Sequence, residues 1–93
     1  MTKQPPKMNR MAEWKEFEQM MHDHITNYAN KQYGDAPDDR AAAYTAEQCL
    51  ESIKKYCARY GRNARGDAEQ ERDFLKIAHY ASLALFRYRE GNK

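Results

Sequence analysis

The chain predicts an all-α fold: a three-helix antiparallel bundle with a flexible N-terminal arm, its core completed by homo-oligomerisation. Three observations carry this. Apolar residues recur at steps of three and four in three separate stretches, the spacing that gathers side chains on one face of a helix. Each stretch opens near a capping residue and closes on a glycine. No segment alternates apolar and polar residues as a half-buried strand does.

Residues 1–8, MTKQPPKM, read as an extended arm, because Pro5-Pro6 disfavours helix and nothing there has an amphipathic period. The rest, residues 9–93, makes one helical domain, near the lower limit of what a single core supports. The first helix is expected over about residues 10–33, capped by Asn9 and stopped by Gly34. Met11, Trp14, Phe17, Met21, Ile25 and Tyr28 keep its apolar step, with His24 on the same side. Burying Trp14 and Phe17 is expected to contribute about 1.5–3 kcal/mol each. Residues 34–40, GDAPDDR, form a turn, followed by a possible helical turn through residues 41–43.

The second helix is expected over residues 46–60. Thr45 and Gln48 form a capping box, and Tyr44 can staple against Cys49. Ala46, Cys49, Leu50, Ile53, Tyr56, Cys57 and Tyr60 form its buried face, and Gly61 ends it. The linker RNARG, residues 62–66, leads to the third helix over residues 68–90. Asp67 is its expected cap, with Gln70 completing a second box, and Gly91 its stop. Phe74, Ile77, Ala78, Ala81, Leu85 and Tyr88 lie on one face, widened by Leu75, Leu83 and Phe86. That face is the expected core. One short helix cannot cover two long ones, so the remaining apolar surface of the third helix is expected to meet a second copy.

Hydrophobic residues at 41% and charged residues at 32% suit a folded chain rather than a disordered one. No apolar run approaches a membrane span, and the N-terminus lacks a signal-peptide core. Cys49 and Cys57 sit eight residues apart on one predicted helix, roughly 12 Å from each other, too far for a disulfide. They read as small core residues in a reducing, cytoplasmic setting.

A net charge of +2 implies nucleic-acid binding only if the charge clusters, and it does cluster. Lys54, Lys55, Arg59, Arg62 and Arg65 fall within a stretch without acids, interleaved with Tyr56 and Tyr60. The cluster ends where the third helix begins, and free N–H groups at a helix start attract anions. Arginine's planar fork fits phosphate, and Tyr60 could stack on a base. The competing reading is a solvated basic helix end, with both tyrosines in the core. Glu69, Glu71 and Asp73, with Glu47 or Glu51, could hold Mg²⁺ beside a pyrophosphate; alternatively they balance the helix dipole. His22-Asp23-His24 has the wrong spacing for paired metal ligands on a helix. Asp35, Asp38 and Asp39 do not match a calcium loop. No serine or cysteine has an evident catalytic partner, so no catalytic residue, cofactor or metal ligand is assigned.

At KQYGD (residues 31–35) and DFLKIAHYASLAL (residues 73–85) the chain resembles small helical proteins common in phages and prophages. These are grouped as nucleotide-modification-associated domains or domains of unknown function. The resemblance implies an all-helical fold related to nucleotide pyrophosphohydrolases and a role in nucleotide handling or host takeover. The E-E-x-x-E metal-binding helix of the active enzymes is absent, and only Glu47 and Glu51 stand in the second helix. The leading expectation is therefore a self-associating, non-enzymatic binding protein. Its ligand would be a phosphate-bearing molecule or an acidic protein surface, held by Lys54, Lys55, Arg59, Tyr60, Arg62 and Arg65. The alternatives are a Mg²⁺-dependent nucleotide hydrolase using Glu47, Glu51, Glu69 and Asp73, and a protein–protein module such as an inhibitor of a host factor.

Overall fold

The computed structural model describes residues 9–29, 43–62 and 64–93, without the side chains of residues 28 and 29. The expected N-terminal arm, the end of the first predicted helix with its Gly34 stop, the aspartate-rich turn and the KQYGD element lie outside these residues. Among the described residues the regular structure is all helical, with no strand. Helix α1 (Arg10–His24) runs on into a π-helical turn (Ile25–Ala29) and is followed by α2 (Ala46–Ala58) and α3 (Asp67–Arg89).

Local chemistry explains where the helices begin and end. Asn9 caps α1, its side-chain oxygen accepting from the Ala12 N–H at 3.0 Å. Thr45 and Gln48 form the predicted capping box of α2: Thr45 Oγ1 accepts from the Gln48 N–H at 3.1 Å, and the Thr45 N–H donates to Gln48 Oε1 at 2.9 Å. The start of α3 departs from expectation. Asp67 is its first helical residue rather than its cap; Gly66, at φ +97°, takes the cap position and offers no side chain. Gln70 does not close a box either. Its Oε1 accepts from the Gly61 N–H at 3.1 Å, tying the end of α2 to the start of α3. Gly91 stops α3 as predicted. With φ +81° it lets the Asn92 N–H reach Arg87 O at 2.8 Å while its own N–H donates to Tyr88 O at 3.0 Å, a Schellman closure.

Helices α2 and α3 form an antiparallel hairpin closed at both ends. At the open end the chain tail returns to α2: the Ala46 and Glu47 N–H groups donate to the carbonyls of Asn92 and Lys93, both at 3.0 Å. Two of the N–H groups that a helix start leaves unpaired are satisfied in this way. Next to them Ala46, Cys49 and Ala84 form a small buried cluster, flanked by Tyr44, Tyr80 and Leu83. Tyr44, Tyr80 and Tyr56 stack in series, with centroids 6.3 and 6.1 Å apart.

The rotation of α3 is the main departure from the predicted bundle. The buried residues of α3 are Glu69, Asp73 and Ala84. Much of the apolar face predicted to be the core is turned to water instead: Phe74 and Leu85 are each 49% exposed and Tyr88 is 57% exposed, whereas Leu75, Ile77 and Ala78 are half-buried and Leu83 packs on the buried cluster. On α2, Leu50, Cys57 and Tyr60 of the predicted buried face are also exposed, whereas Ala46, Cys49 and Tyr56 are buried. Burial raises the Cys49 thiol above its ordinary pKa.

Helix α1 lies over α3 sparsely. Trp14, expected in the core, is 56% exposed and leans on the half-buried Phe17, with centroids 5.7 Å apart. These two rings, with Met21 and Ile25, face Ala78, His79 and Ser82 across an apolar groove of about 390 Å³. The anchor of α1 is a histidine: His24 is buried and meets His79 edge to face at 6.2 Å. Burial, then the charges of His79, Lys76 and Arg72, pull the His24 imidazole below its ordinary value of 6.5.

Replacing Thr45 with Ala should lower the unfolding free energy by about 1 kcal/mol, read from the urea midpoint. Because the folded state disfavours protonated His24, the stability it supports is complete above pH 6.5 and declines as pH falls through that value. The urea midpoint should therefore drop between about pH 7.5 and about pH 5.5, and His24→Phe should remove most of the difference.

Candidate functional site

The elbow between α2 and α3 concentrates charge as the sequence suggests, but in a different arrangement. Arg59, at the C-terminal cap of α2, turns inward. It donates to Glu69 Oε2 at 3.1 Å and to Asp73 Oδ1 at 3.0 Å. Arg72 donates to Glu69 Oε1 at 2.7 Å, and Lys76 Nζ lies 4.0 Å from Glu69 Oε2. Asp73 is wholly buried and Glu69 nearly so. Three cations thus surround two carboxylates, and Arg59 and Lys76 both lie over the Tyr56 ring at 5.2 Å. Charges placed this deep persist only when paired and hydrogen-bonded, as these are.

This network accounts for Glu69 and Asp73 and for one of the five basic-cluster residues. Glu69 and Asp73 direct their carboxylate oxygens at Arg59, Arg72 and Lys76 rather than at a shared cation site. Among the described residues no group of three or more His, Cys, Asp or Glu is placed to hold a metal ion. Glu71 is exposed, and Glu51 pairs with Lys54 at 3.2 Å on the outer side of α2.

The six predicted ligand residues are engaged in different ways. Lys54 belongs to that Glu51 pair. Lys55 lies over the Tyr56 ring at 4.9 Å and borders a shallow groove with Tyr44, Gln48, Glu51 and Ser52. Arg59 is committed to the interior carboxylates. Tyr60 is exposed and sets its ring against the edge of Phe74, with centroids 6.1 Å apart. Arg62 and Arg65 are exposed on the elbow. The hollow at the elbow is lined by Tyr60, Gly61, Gly66, Asp67 and Gln70, so the charge that faces it is a carboxylate.

Sequence reasoning missed two features. One is the inward pairing of Arg59, for which the only sequence signal was the spacing of Glu69 and Asp73 on one helix face. The other is the outward stripe of α3, visible as a pattern but assigned to the wrong side. No helix among the described residues is long and apolar enough to cross a membrane. Comparison with protein families, with characterised proteins and with solved structures gives no match to this chain.

Removing Asp73 takes away the buried acceptor of Arg59 and leaves it bonded to Glu69 alone. Asp73→Ala should destabilise the fold by about 3 kcal/mol, the low end for a broken buried pair because Arg59 keeps some access to water. Arg62→Ala with Arg65→Ala should change stability by less than about 0.5 kcal/mol in the same denaturation series.

Proposed function

We propose that this chain is a small helical protein-interaction module that acts as a self-associated protein, with the outward face of α3 as its working surface. The observation that supports this is the exposure of Phe74, Leu85 and Tyr88 on the only long, regular apolar stripe of α3. Large contiguous apolar patches on folded proteins mark interaction sites. Trp14 and the groove between α1 and α3 extend the patch on one side, and Tyr60 extends it on the other. The alternative of a protein–protein inhibitor of a host factor would use the same kind of surface.

A second reading keeps a phosphate-bearing or acidic ligand, reduced to Arg62 and Arg65. Their exposure beside the start of α3, where no side-chain hydrogen bond caps the helix, is what favours it. A hydrolase draws no such support, because Glu69 and Asp73 are held by Arg59 and Arg72.

Sedimentation at micromolar concentration tests the first reading. The parent should run heavier than its 11.0 kDa chain. Phe74→Ser with Leu85→Asp should run at monomer mass with unchanged helical circular dichroism. A parent that stays monomeric across that range refutes self-association. Thermal shifts with inorganic pyrophosphate and nucleoside triphosphates test the second reading: stabilisation lost in the Arg62→Ala, Arg65→Ala double variant supports it, and none in the parent refutes it.

A further inference from the structure

The outward stripe of α3 is ordered as a heptad seam. Phe74, Ala78, Ala81, Leu85 and Tyr88 follow one another by alternating steps of four and three. Small residues occupy its middle and large ones its ends. Carried backwards, the same register reaches Glu71 and Asp67, both exposed. At the other end Arg89 is exposed beside Tyr88, and Lys93 lies over the Tyr88 ring at 4.9 Å. Among the described residues, Asp67, Glu71, Arg89 and Lys93 make no ion pair. One end of the seam is acidic and the other basic.

The geometry points to a second copy of this chain as the occupant of the seam, its α3 running antiparallel to the first about a two-fold axis. This rests on the self-association proposed above and adds its residues and direction. Charge selects the direction. A parallel pair sets Asp67 and Glu71 beside their own counterparts and does the same with Arg89 and Lys93. Reversing one helix brings Arg89 and Lys93 against the acids of the partner, twice by symmetry. The register that joins Arg89 to the partner's Glu71 places Phe74 against the partner's Leu85. Ala78 and Ala81 then meet at the crossing, where only small side chains let two helix backbones approach closely. α2 covers the Glu69, Asp73 and Tyr80 side of α3, and α1 meets the His79 side and borders the seam at Glu71 and Ala78, which leaves Phe74, Ala81, Leu85 and Tyr88 open to a partner.

Two measurements on the full chain test the pairing. Glu71→Lys and Arg89→Glu, each alone, should weaken dimerisation roughly three- to tenfold, and the double variant should recover the affinity of the parent. A double variant no tighter than its weaker single variant overturns the antiparallel direction. In a Cys57→Ser background, which leaves only the buried Cys49 thiol, Phe74→Cys and Leu85→Cys chains are mixed in equal amounts and oxidised. Mixed disulfides should predominate over same-residue ones; the reverse indicates parallel pairing and overturns the proposal. A monomeric parent refutes self-association itself, whereas a dimeric parent insensitive to both sets of variants refutes only the α3 seam.

Discussion

The ion-pair network at the elbow fixes the rotation of α3, and most of the molecule follows from that rotation. A helix can turn only part of its circumference toward one neighbour. Here Glu69, Asp73 and Ala84 are the part given to α2. Once Asp73 is buried against Arg59, the stripe from Phe74 to Tyr88 lies roughly a third of a turn away and must face elsewhere. The exposed apolar surface of this protein is thus a direct result of a charged contact inside it. Buried ion pairs are weak contributors to stability but strong determinants of register, since a misplaced partner leaves a bare charge. The elbow uses the pair in that second way, with the Gly61–Gln70 hydrogen bond holding the chain beside it.

The same geometry divides the basic stretch into separate tasks. Arg59 serves the interior, Lys54 an outer-face ion pair, and Lys55 the ring of Tyr56. Neighbours in sequence therefore take different partners, although Lys55 and Arg59 share the Tyr56 ring. On a helix, residues one or two apart point in different directions, so a run of like charges is spread around the rod rather than focused. Arg62 and Arg65 lie beyond the end of α2 and are exposed on the elbow.

Much of the fold was legible in the sequence. The Asn9 cap, the Thr45–Gln48 box and the Gly91 stop are local chemistry, and local chemistry is what residue types record. Rotational phase is not local. In α3 the apolar period selects one face, but Glu69, Asp73, Lys76 and Tyr80 recur at the same helical step on another. Periodicity marks both faces and does not say which meets the neighbour. The contact of Asp73 with Arg59 decides that, and it depends on a connection whose two glycines adopt φ +77° and +97°. The cap of α3 was misread for a related reason: Gln70 had a second acceptor role available across the elbow. In the candidate site, the pairing of Arg59 with Asp73 is a contact across fourteen residues that the run of basic residues does not reveal.

The return of the chain tail to α2 has a consequence for the order of events in folding. The amides of Ala46 and Glu47 bind carbonyls more than forty positions downstream, in Asn92 and Lys93. The opening turn of α2 therefore cannot complete its protection against hydrogen exchange until α3 has formed and closed on Gly91. The first turn of α2 gains these two hydrogen bonds only when residues 92 and 93 are in place, so that turn and residues 92–93 are expected to open together.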